Sequence, residues 1–413
     1  MRIARLPYSS RLIVPPGWIN LPTSDLLRKM ALVVEASAGF PYVSPIVQRL
    51  ITRIQEQIRR HAEKLGFVET ALPLLTKIDL LRTSGVYERF AKELCILSSP
   101  HSNFIISATT EELVLDYLQG DGLSSYKQMP LRLFHFQELV RFLDRPEYYY
   151  KSRQINAAVF STLDTDLCAY STSLTAFKMI CDALWSSWGV PVHIEASDDG
   201  LAVEYLFDNN YSDRLSSESV VKRFNSSEAT FHQNGGMSES TRYSSLSMGY
   251  PYSKVSSFAV CFTDEKGVRR NPIFGTFAIG LQRCIYALLE TLRNQTGIKF
   301  PPKLRPFDVA ILPIQREDEI KKAAELIYER LVSLGVRAAF DDRDIHLSKR
   351  MPLFDLLATP IRIVVGKNEI ASGTVECRYI GASRESNQVS QEDVIAYVLK
   401  LLSTEGNSSE RVY

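Results

Sequence analysis

The stretch between Ser107 and Ile155 places an arginine where it could hold a phosphate. A largely apolar segment from Leu133 to Val140 leads directly into Arg141, a charged turn follows, and a second extended segment ends at Ile155. This pattern predicts two antiparallel strands joined by a long basic loop, with Arg141 near the end of the first strand. A forked guanidinium in that place suits a phosphate, although an arginine at a strand end also commonly forms a surface ion pair.

Further elements follow from residue spacing. From Ser44 to Lys64 apolar residues recur every three or four positions, which predicts a helix that stops before Gly66. Strands are predicted over residues 68–75, 258–262 and 273–279, and a helix over residues 284–292. The segment from Tyr211 to Ser256 is rich in Ser and Asn, a composition that predicts surface loop.

The chain changes rhythm after a proline-rich connection at residues 301–306. Predicted strands over residues 307–313, 336–340 and 361–365 alternate with a predicted helix from Glu317 to Leu334, which indicates a small parallel α/β domain. The predicted divisions are a larger domain over residues 1–300, a linker over 301–306, a smaller domain over 307–403 and a polar, disordered tail over 404–413.

Composition limits the possible partners. The 413 residues carry a net charge of +1, so any nucleic-acid contact must come from local patches. Six cysteines without CxxC pairs predict buried thiols in a reducing compartment and no metal site, and no apolar run approaches the length of a membrane span. The arginine-bearing start, free of acidic residues before Asp25, fits an ordinary basic terminus in a cytoplasmic protein or, alternatively, a transit segment for a mitochondrion or another organelle.

Several segments together resemble the catalytic core of a class II aminoacyl-tRNA synthetase, most closely a prolyl-tRNA synthetase. Thr109 and Glu111 fit the Thr-x-Glu loop of that family, and Arg141 fits the arginine of its motif 2. The segment from Gly275 to Arg283 resembles motif 3, a glycine-rich strand that feeds an arginine at a helix start. The helix and strand between Ser44 and Leu75 resemble motif 1, which builds the dimer interface of the family.

The resemblance implies an α+β class II synthetase core, an antiparallel sheet flanked by helices, followed by a C-terminal α/β anticodon-binding domain. The turn at residues 341–343 and the segment at residues 359–366 resemble the anticodon-binding domain shared by prolyl, threonyl, histidyl and glycyl synthetases. Arg343, Lys349 and Arg350 are then the candidate contacts to the unstacked bases of a tRNA anticodon, and a solvated basic turn is the alternative for each. The chain has no room for the large editing domain that typical bacterial prolyl enzymes carry.

The resemblance also implies an activity. Such enzymes attack the α-phosphate of ATP with the carboxylate of an amino acid and pass the aminoacyl group to tRNA. Their catalysis depends on positioning and on charge stabilisation at phosphorus, usually with Mg²⁺. Thr109 and Glu111 would hold the ammonium group of proline or of another small amino acid. Four residues would bind ATP, with the first and last of them stabilising the phosphates: Arg141, Arg153, Gly280 and Arg283.

Two positions depart from the family pattern. The family has Arg-x-Glu, with the glutamate contacting adenine, where this chain has Arg141-Phe142-Leu143. The family has Arg-Glu-Phe, with the phenylalanine stacking on adenine, where this chain has Arg153-Gln154-Ile155. Losing a charged hydrogen bond costs about 1.5–3 kcal/mol and losing the stack about 0.5–1.5 kcal/mol more. The tyrosines at residues 148–150 could offer a substitute stacking face.

Two hypotheses follow. The first is a divergent, homodimeric prolyl-tRNA synthetase that lacks editing, which the retained arginines favour. The second is a catalytically inactive or repurposed relative that binds tRNA in a regulatory role or activates another small amino acid, which the losses at Leu143 and Ile155 favour.

Overall fold

The structure, a computed structural model, describes residues 1–97, 103–120, 122–208, 243–314, 317–380 and 386–410. The chain divides into two compact units. The central unit consists of residues 35–42 and 54–291, and the C-terminal unit consists of residues 1–34, 43–53 and 292–413. This division differs from the predicted ranges because the first 34 residues group with the last third of the chain.

The α-helices of the described residues, numbered in chain order, are α1 Thr23–Lys29, α2 Pro45–Lys64, α3 Ile78–Ser84, α4 Val86–Phe90, α5 Glu111–Tyr117, α6 Leu167–Trp188, α7 Leu281–Thr291, α8 Asp318–Ser333, α9 Leu347–Leu356, α10 Lys367–Ala371 and α11 Val394–Glu410. In this part of the chain no helix combines the length and apolarity that crossing a bilayer requires.

The strands are β1 Val33–Ser37, β2 Phe40–Val43, β3 Val68–Glu69, β4 Leu75–Lys77, β5 Cys95–Ile96, β6 Phe104–Ile106, β7 Leu131–Val140, β8 Gln154–Asp164, β9 His193–Ala196, β10 Val203–Asp208, β11 Tyr243–Pro251, β12 Phe262–Thr263, β13 Arg269–Arg270, β14 Ile273–Gly280, β15 Arg293–Asn294, β16 Gly297–Ile298, β17 Val309–Pro313, β18 Ala338–Phe340, β19 Ile361–Val365, β20 Thr374–Tyr379 and β21 Ser386–Ser390.

A seven-stranded sheet forms the core of the central unit, in the order β3-β7-β8-β14-β11-β10-β9. Its neighbouring strands are antiparallel except for the parallel pair β3 and β7. Helix α6 packs against β8 and β14. The Phe177 ring of α6 lies 5.4 Å from that of Phe160 and 4.8 Å from that of Phe277, so aromatic stacking fixes this helix on the sheet. The predicted antiparallel sheet flanked by helices is confirmed.

The paired strands predicted around Arg141 are β7 and β8. The strand predicted over residues 68–75 is reduced to β3 and the first residue of β4, and the strand predicted over residues 258–262 is reduced to the start of β12. The segment predicted as loop contains β11, because buried serines such as Ser245 and Ser247 lie on a strand inside the sheet. Residues 211–242 of that segment lie outside the described residues.

The C-terminal unit is built on a five-stranded sheet in the order β18-β17-β19-β20-β21. The first three strands are parallel, as predicted, and β20 and β21 add antiparallel pairs. Buried side chains of α8 and α11, such as Ile320 and Val394, join the apolar residues of the sheet in one core. Helix α11 runs to Glu410, so residues 404–410 are helical where a disordered tail was predicted.

Residues 1–12, the N-terminal arm, pack on this sheet at the edge strand β18. The backbone N–H of Phe340 donates to the Met1 carbonyl at 2.8 Å, and Arg2 bridges Phe340 in parallel orientation. The Arg2 guanidinium pairs with Glu325 at 2.5 Å and lies 5.2 Å from the centre of the Phe340 ring. The arm thereby covers backbone groups that an edge strand would otherwise expose.

Candidate active site

Arg141 lies directly after β7, and its guanidinium is held on two sides. Its Nε donates to the Ala108 carbonyl at 2.9 Å, and its central carbon lies 5.1 Å from the centre of the Phe90 ring. The backbone N–H of Val140 donates to the Ser107 carbonyl at 2.9 Å, which ties the end of β7 to the loop before α5. Among the described residues no hydrogen bond engages the two terminal nitrogens of Arg141. They are therefore able to bind a phosphate together.

Thr109 and Glu111 lie at the start of α5, and the fold gives each of them a partner. Glu111 Oε1 accepts a hydrogen bond from Thr276 Oγ1 at 3.1 Å, and its Oε2 accepts from the backbone N–H of Thr110 at 3.0 Å. Thr109 Oγ1 lies 2.6 Å from Glu112 Oε2. Since Thr276 belongs to β14, these bonds join the start of α5 to the strand that leads into Arg283.

The Glu111 carboxyl has a raised pKa, mainly because it is buried and also because it lies beside the carboxyl of Glu112. The pKa of the Tyr250 phenol is raised by burial and by the charge of Glu111, while Arg141 and Arg89 act in the opposite direction. Arg141 lies beside the segment that carries Thr109 and Glu111, because its Nε donates to the Ala108 carbonyl. The structure thus brings the residues predicted to hold an ammonium group together with an arginine predicted to hold a phosphate.

Arg283 occupies the first turn of α7, as the sequence predicted for an arginine at a helix start. Its Nη1 donates to the Ser245 carbonyl at 3.1 Å, and its guanidinium carbon lies 5.3 Å from the centre of the Tyr150 ring. A Cβ on Gly280 would lie 3.2 Å from Arg283 Cδ, so the missing side chain leaves room for the arginine. By contrast, a Cβ on Gly275 would lie 2.6 Å from Thr162 Oγ1, so that glycine serves strand packing instead of nucleotide approach.

Arg153 has a structural role that the sequence did not predict. Its Nε donates to the Leu143 carbonyl at 3.0 Å, and its Nη1 donates to the Ala38 carbonyl at 3.2 Å. Gly39 has a φ of +81°, and a Cβ there would lie 2.8 Å from Arg153 Cγ. Arg153 thus fastens the turn between β1 and β2 to the start of β8. Its predicted contact with ATP is left to the remaining Nη2 and stays a prediction.

Leu143 and Ile155 lie at the positions where the family resemblance implies adenine contacts. Both are half-buried, and neither side chain can donate or accept a hydrogen bond. The tyrosines at residues 148–150 do not replace the missing stack, because all three are buried with at most 9% of their surface exposed. The Tyr150 ring instead lies 5.4 Å from the ring of Tyr286. The substitute stacking face proposed from the sequence is therefore wrong.

Gln282 is a site residue that the sequence analysis missed. Its buried amide accepts a hydrogen bond from the backbone N–H of Asn156 at 2.8 Å and donates to the Gln154 carbonyl at 3.0 Å. Through these two hydrogen bonds the Gln282 amide pairs with the backbone at the start of β8, next in sequence to Arg283. A polar residue in the first turn of a mostly apolar helix was the only sequence signal for it.

The predicted anticodon contacts divide into two buried residues and one exposed residue. Arg343 forms a paired ionic contact with Asp341, with its Nε 2.9 Å from Oδ1 and its Nη2 2.8 Å from Oδ2. Arg350 donates to the carbonyls of Asp341 at 2.6 Å and Pro313 at 2.9 Å. Both guanidinium groups hold the C-terminal unit together, so their predicted contact with an anticodon is corrected to a structural role. Lys349 is exposed and stays a candidate.

The residues at the site do not fit a Mg²⁺ ion held by the protein. Within the described ranges, no group of three or more His, Cys, Asp or Glu side chains could hold a metal ion. The two carboxylates at the site, Glu111 and Glu112, already accept hydrogen bonds from hydroxyl groups. A Mg²⁺ ion that enters with a nucleotide would rely on the phosphates and on water.

Comparison with known proteins agrees with this geometry. Residues 308–401 match a family model described as an anticodon binding domain. Over 92% of its length the chain is 26% identical to a proline–tRNA ligase of Zymomonas mobilis, covering 94% of that protein. A proline–tRNA ligase of Nitrobacter winogradskyi is 24% identical over 97% of this chain and 100% of its own length. The chain therefore resembles prolyl-tRNA synthetases over nearly its whole length.

Solved structures support the same fold. The prolyl-tRNA synthetase of Cryptosporidium parvum, solved with L-proline and AMP, superposes with a TM-score of 0.68 at 16% identity, over 97% of this chain and 78% of that one. A second structure of that enzyme, with halofuginone and AMPPNP, gives a TM-score of 0.67 at 17% identity over 95% and 76% of the two chains. The prolyl-tRNA synthetase-like fold, with its C-terminal anticodon-binding domain, therefore matches the expectation from the sequence.

Proposed function

We propose that this protein activates proline with ATP and transfers the prolyl group to tRNA. The observation that carries the proposal is the contact of Arg141 with the segment that carries Glu111, since the Arg141 Nε donates to the Ala108 carbonyl at 2.9 Å. An anionic group beside a cationic group matches the two substrates, because the amino acid carries an ammonium group and ATP carries phosphates. The carboxylate would receive the substrate ammonium, and the guanidinium would receive the phosphate that the substrate attacks.

The chain's own residues suit each part of this chemistry. The substrate carboxylate would attack the α-phosphate of ATP, form the mixed anhydride and release pyrophosphate, and the tRNA hydroxyl would then take the prolyl group and release AMP. The terminal nitrogens of Arg141, which make no hydrogen bond within the described part of the chain, can bind two phosphate oxygens at once, since the Phe90 ring and the Ala108 carbonyl hold the guanidinium in place. Arg283, in the first turn of α7, would be the second arginine that binds the nucleotide. No side chain of the protein forms a covalent bond in this scheme.

A second candidate function rests on Leu143 and Ile155. Because neither can hydrogen-bond to adenine and the neighbouring tyrosines are buried, nucleotide binding must rely on the phosphates more than in the relatives. This observation favours a protein that keeps the fold and binds tRNA without activating an amino acid, or one that activates another small amino acid. The match of residues 308–401 to an anticodon binding domain supports tRNA as a partner in either case.

The deciding experiment is ATP–pyrophosphate exchange by the purified protein with each of the twenty amino acids. Exchange that depends on proline supports the synthetase, and exchange with another amino acid supports a repurposed activator. Absence of exchange from folded protein that still binds tRNA would leave the non-catalytic function. Charging of tRNA with radiolabelled proline then tests the second step.

We expect the KM for proline to fall as the pH rises through the raised pKa of Glu111. Only the ionised carboxylate attracts the ammonium group, and burial keeps the carboxyl of the free protein protonated to higher pH. The neighbouring Glu112 carboxyl raises this pKa further, whereas the hydrogen bonds from the Thr110 backbone N–H and the Thr276 hydroxyl lower it. For stability, a carboxyl whose pKa is raised by folding favours the folded state at low pH and loses that contribution as the pH rises through the folded-state pKa.

Exchange kinetics from about pH 5 to about pH 8 check this expectation. The matched control is Glu111→Gln, which cannot ionise and should show a high KM for proline that no longer varies with pH. An equal pH dependence in both proteins would assign the titration to another group.

We propose a homodimer that uses the apolar surface after α2. Val68, Leu74 and Leu75 expose 62%, 49% and 40% of their surface in one short segment, and the resemblance of this segment to motif 1 implies a dimer interface. Val68→Arg should weaken self-association by about 100-fold, since an unpaired charge would be buried in the contact. Analytical ultracentrifugation checks this, with Met179→Arg on α6, 53% exposed, as the matched control. A monomeric wild-type protein would contradict the proposal.

A further inference from the structure

We propose that Glu112 is a positioning residue that turns the hydroxyl of Thr109 into a hydrogen-bond acceptor for the substrate ammonium. This inference rests on the proposed function and adds a residue to it. Glu112 is completely buried, and its two carboxylate oxygens face two hydroxyl groups. Its Oε2 lies 2.6 Å from Thr109 Oγ1, and its Oε1 lies 2.8 Å from the Tyr252 hydroxyl.

The direction of these hydrogen bonds follows from proton counting. The two oxygens of Glu112 act as acceptors, and the hydroxyl groups of Thr109 and Tyr252 both donate to them. A hydroxyl has one proton, and the proton of Thr109 is therefore directed at Glu112. The lone pairs of the Thr109 oxygen are then left for a donor in the substrate. A free threonine could present either its proton or its lone pairs, whereas this one presents only lone pairs.

Helix capping does not explain the contact. A threonine three residues before a glutamate is the sequence of a capping box, in which each side chain accepts from the other residue's backbone N–H. No side-chain capping hydrogen bond is found at the start of α5, and the two side chains bond to each other instead. Tyr252, which follows β11, completes the arrangement and is held by its backbone N–H to the Phe274 carbonyl at 2.7 Å. The carboxylate is thus fixed from two distant parts of the central unit.

The ligand chemistry that fits is a secondary ammonium with two N–H groups. Glu111 supplies one acceptor, and Thr109 with a fixed proton supplies the second. If the Thr109 hydroxyl turned its proton toward the substrate, that proton would face the N–H groups of the ammonium and no hydrogen bond could form. At a pH above the pKa of Glu111, where that carboxylate is already ionised, losing Glu112 should therefore weaken amino acid binding without disturbing the phosphate side of the site.

The test is a set of exchange kinetics with KM for proline, KM for ATP and kcat measured separately. Glu112→Met keeps the length of the side chain and removes both acceptors, so we expect the KM for proline to rise about tenfold while kcat and the KM for ATP change less than about threefold. Glu112→Gln should restore most of the affinity, because its amide oxygen can accept from Thr109 while its amide nitrogen donates to the Tyr252 oxygen.

A double-mutant cycle with Thr109→Val separates positioning from a general loss of structure. If Glu112 acts through Thr109, Glu112→Met should have little further effect on the KM for proline in the Thr109→Val protein. Additive effects in the cycle, or equal rises in both KM values, would overturn the inference while leaving the proposed function intact. A wild-type protein that exchanges with no amino acid would instead remove the proposed function, and this inference with it.

Discussion

Replacing Arg141 with alanine should lower kcat for proline-dependent exchange by about a thousandfold. The guanidinium is the group that the structure holds ready for a phosphate, with its two terminal nitrogens free of hydrogen bonds among the described residues. Loss of one fixed donor to a charged transition state costs about a hundred- to a thousandfold in rate, and Arg141 offers two donors and a full charge. Steady-state exchange with saturating proline and ATP measures the loss.

Two matched variants make the interpretation specific. Arg141→Lys keeps the charge but not the fork, so we expect partial recovery. Arg153→Ala removes an arginine whose Nε and Nη1 bond to backbone carbonyls, and we expect it to lower the melting temperature more than the rate. If Arg153→Ala lowered kcat as much as Arg141→Ala does, Arg153 would also bind phosphate. That result would contradict the structural role assigned to Arg153.

Replacing Arg343 with alanine should destabilise the C-terminal unit by about 3–5 kcal/mol, because it leaves the Asp341 carboxylate buried without its partner. The two side chains are 4% and 0% exposed. Arg343 also donates to the Leu12 carbonyl at 2.5 Å and the Ser9 carbonyl at 3.2 Å, so the same change removes two of the hydrogen bonds that hold the N-terminal arm. Denaturant unfolding followed by circular dichroism measures the loss.

Lys349→Ala is the matched control for that prediction. Lys349 is exposed on the neighbouring helix α9, so its loss should change stability by less than about 0.5 kcal/mol. If it contacts an anticodon, the same variant should weaken tRNA binding and leave amino acid activation unchanged. Stability of Arg343→Ala equal to wild type would contradict the structural role that we assign to the buried pair.

The residues of the site differ in how far the sequence could predict them. Arg141 was within reach because an extended pattern, a turn and a second extended pattern are local features, and β7 and β8 follow them. Thr109, Glu111 and Arg283 came from resemblance, and their common location depends on the Thr276 hydrogen bond across 165 positions. No pattern within a short stretch of sequence can predict a contact between residues so far apart in the chain. The role of Glu112 likewise needs Tyr252, which is 140 positions away.

The errors have the same origin. Residues 341–350 look like a solvated basic turn when only their neighbours in sequence are considered, whereas Arg343 is buried beneath carbonyls of the N-terminal arm. The serines of β11 suggested a loop because composition shows only that these residues are polar. It does not show that β11 lies between the strands β14 and β10 in the sheet. Tyr148 to Tyr150 suggested an open aromatic face, but all three are buried, and the Tyr286 ring of α7 packs against Tyr149 and Tyr150. In each case a distant segment decides the burial of a polar or aromatic residue.

The N-terminal arm also constrains the order of events during synthesis. Arg343 and Leu12 are separated by 331 positions, and Arg2 and Glu325 by 323. The arm is therefore made long before the strand and helix that receive it, and it must remain unpaired while the whole central unit emerges from the ribosome. Closing such a long loop is slow compared with forming local contacts. We expect the central unit to gain protease resistance first on stalled nascent chains, with the arm protected only after β18 and α8 have been completed.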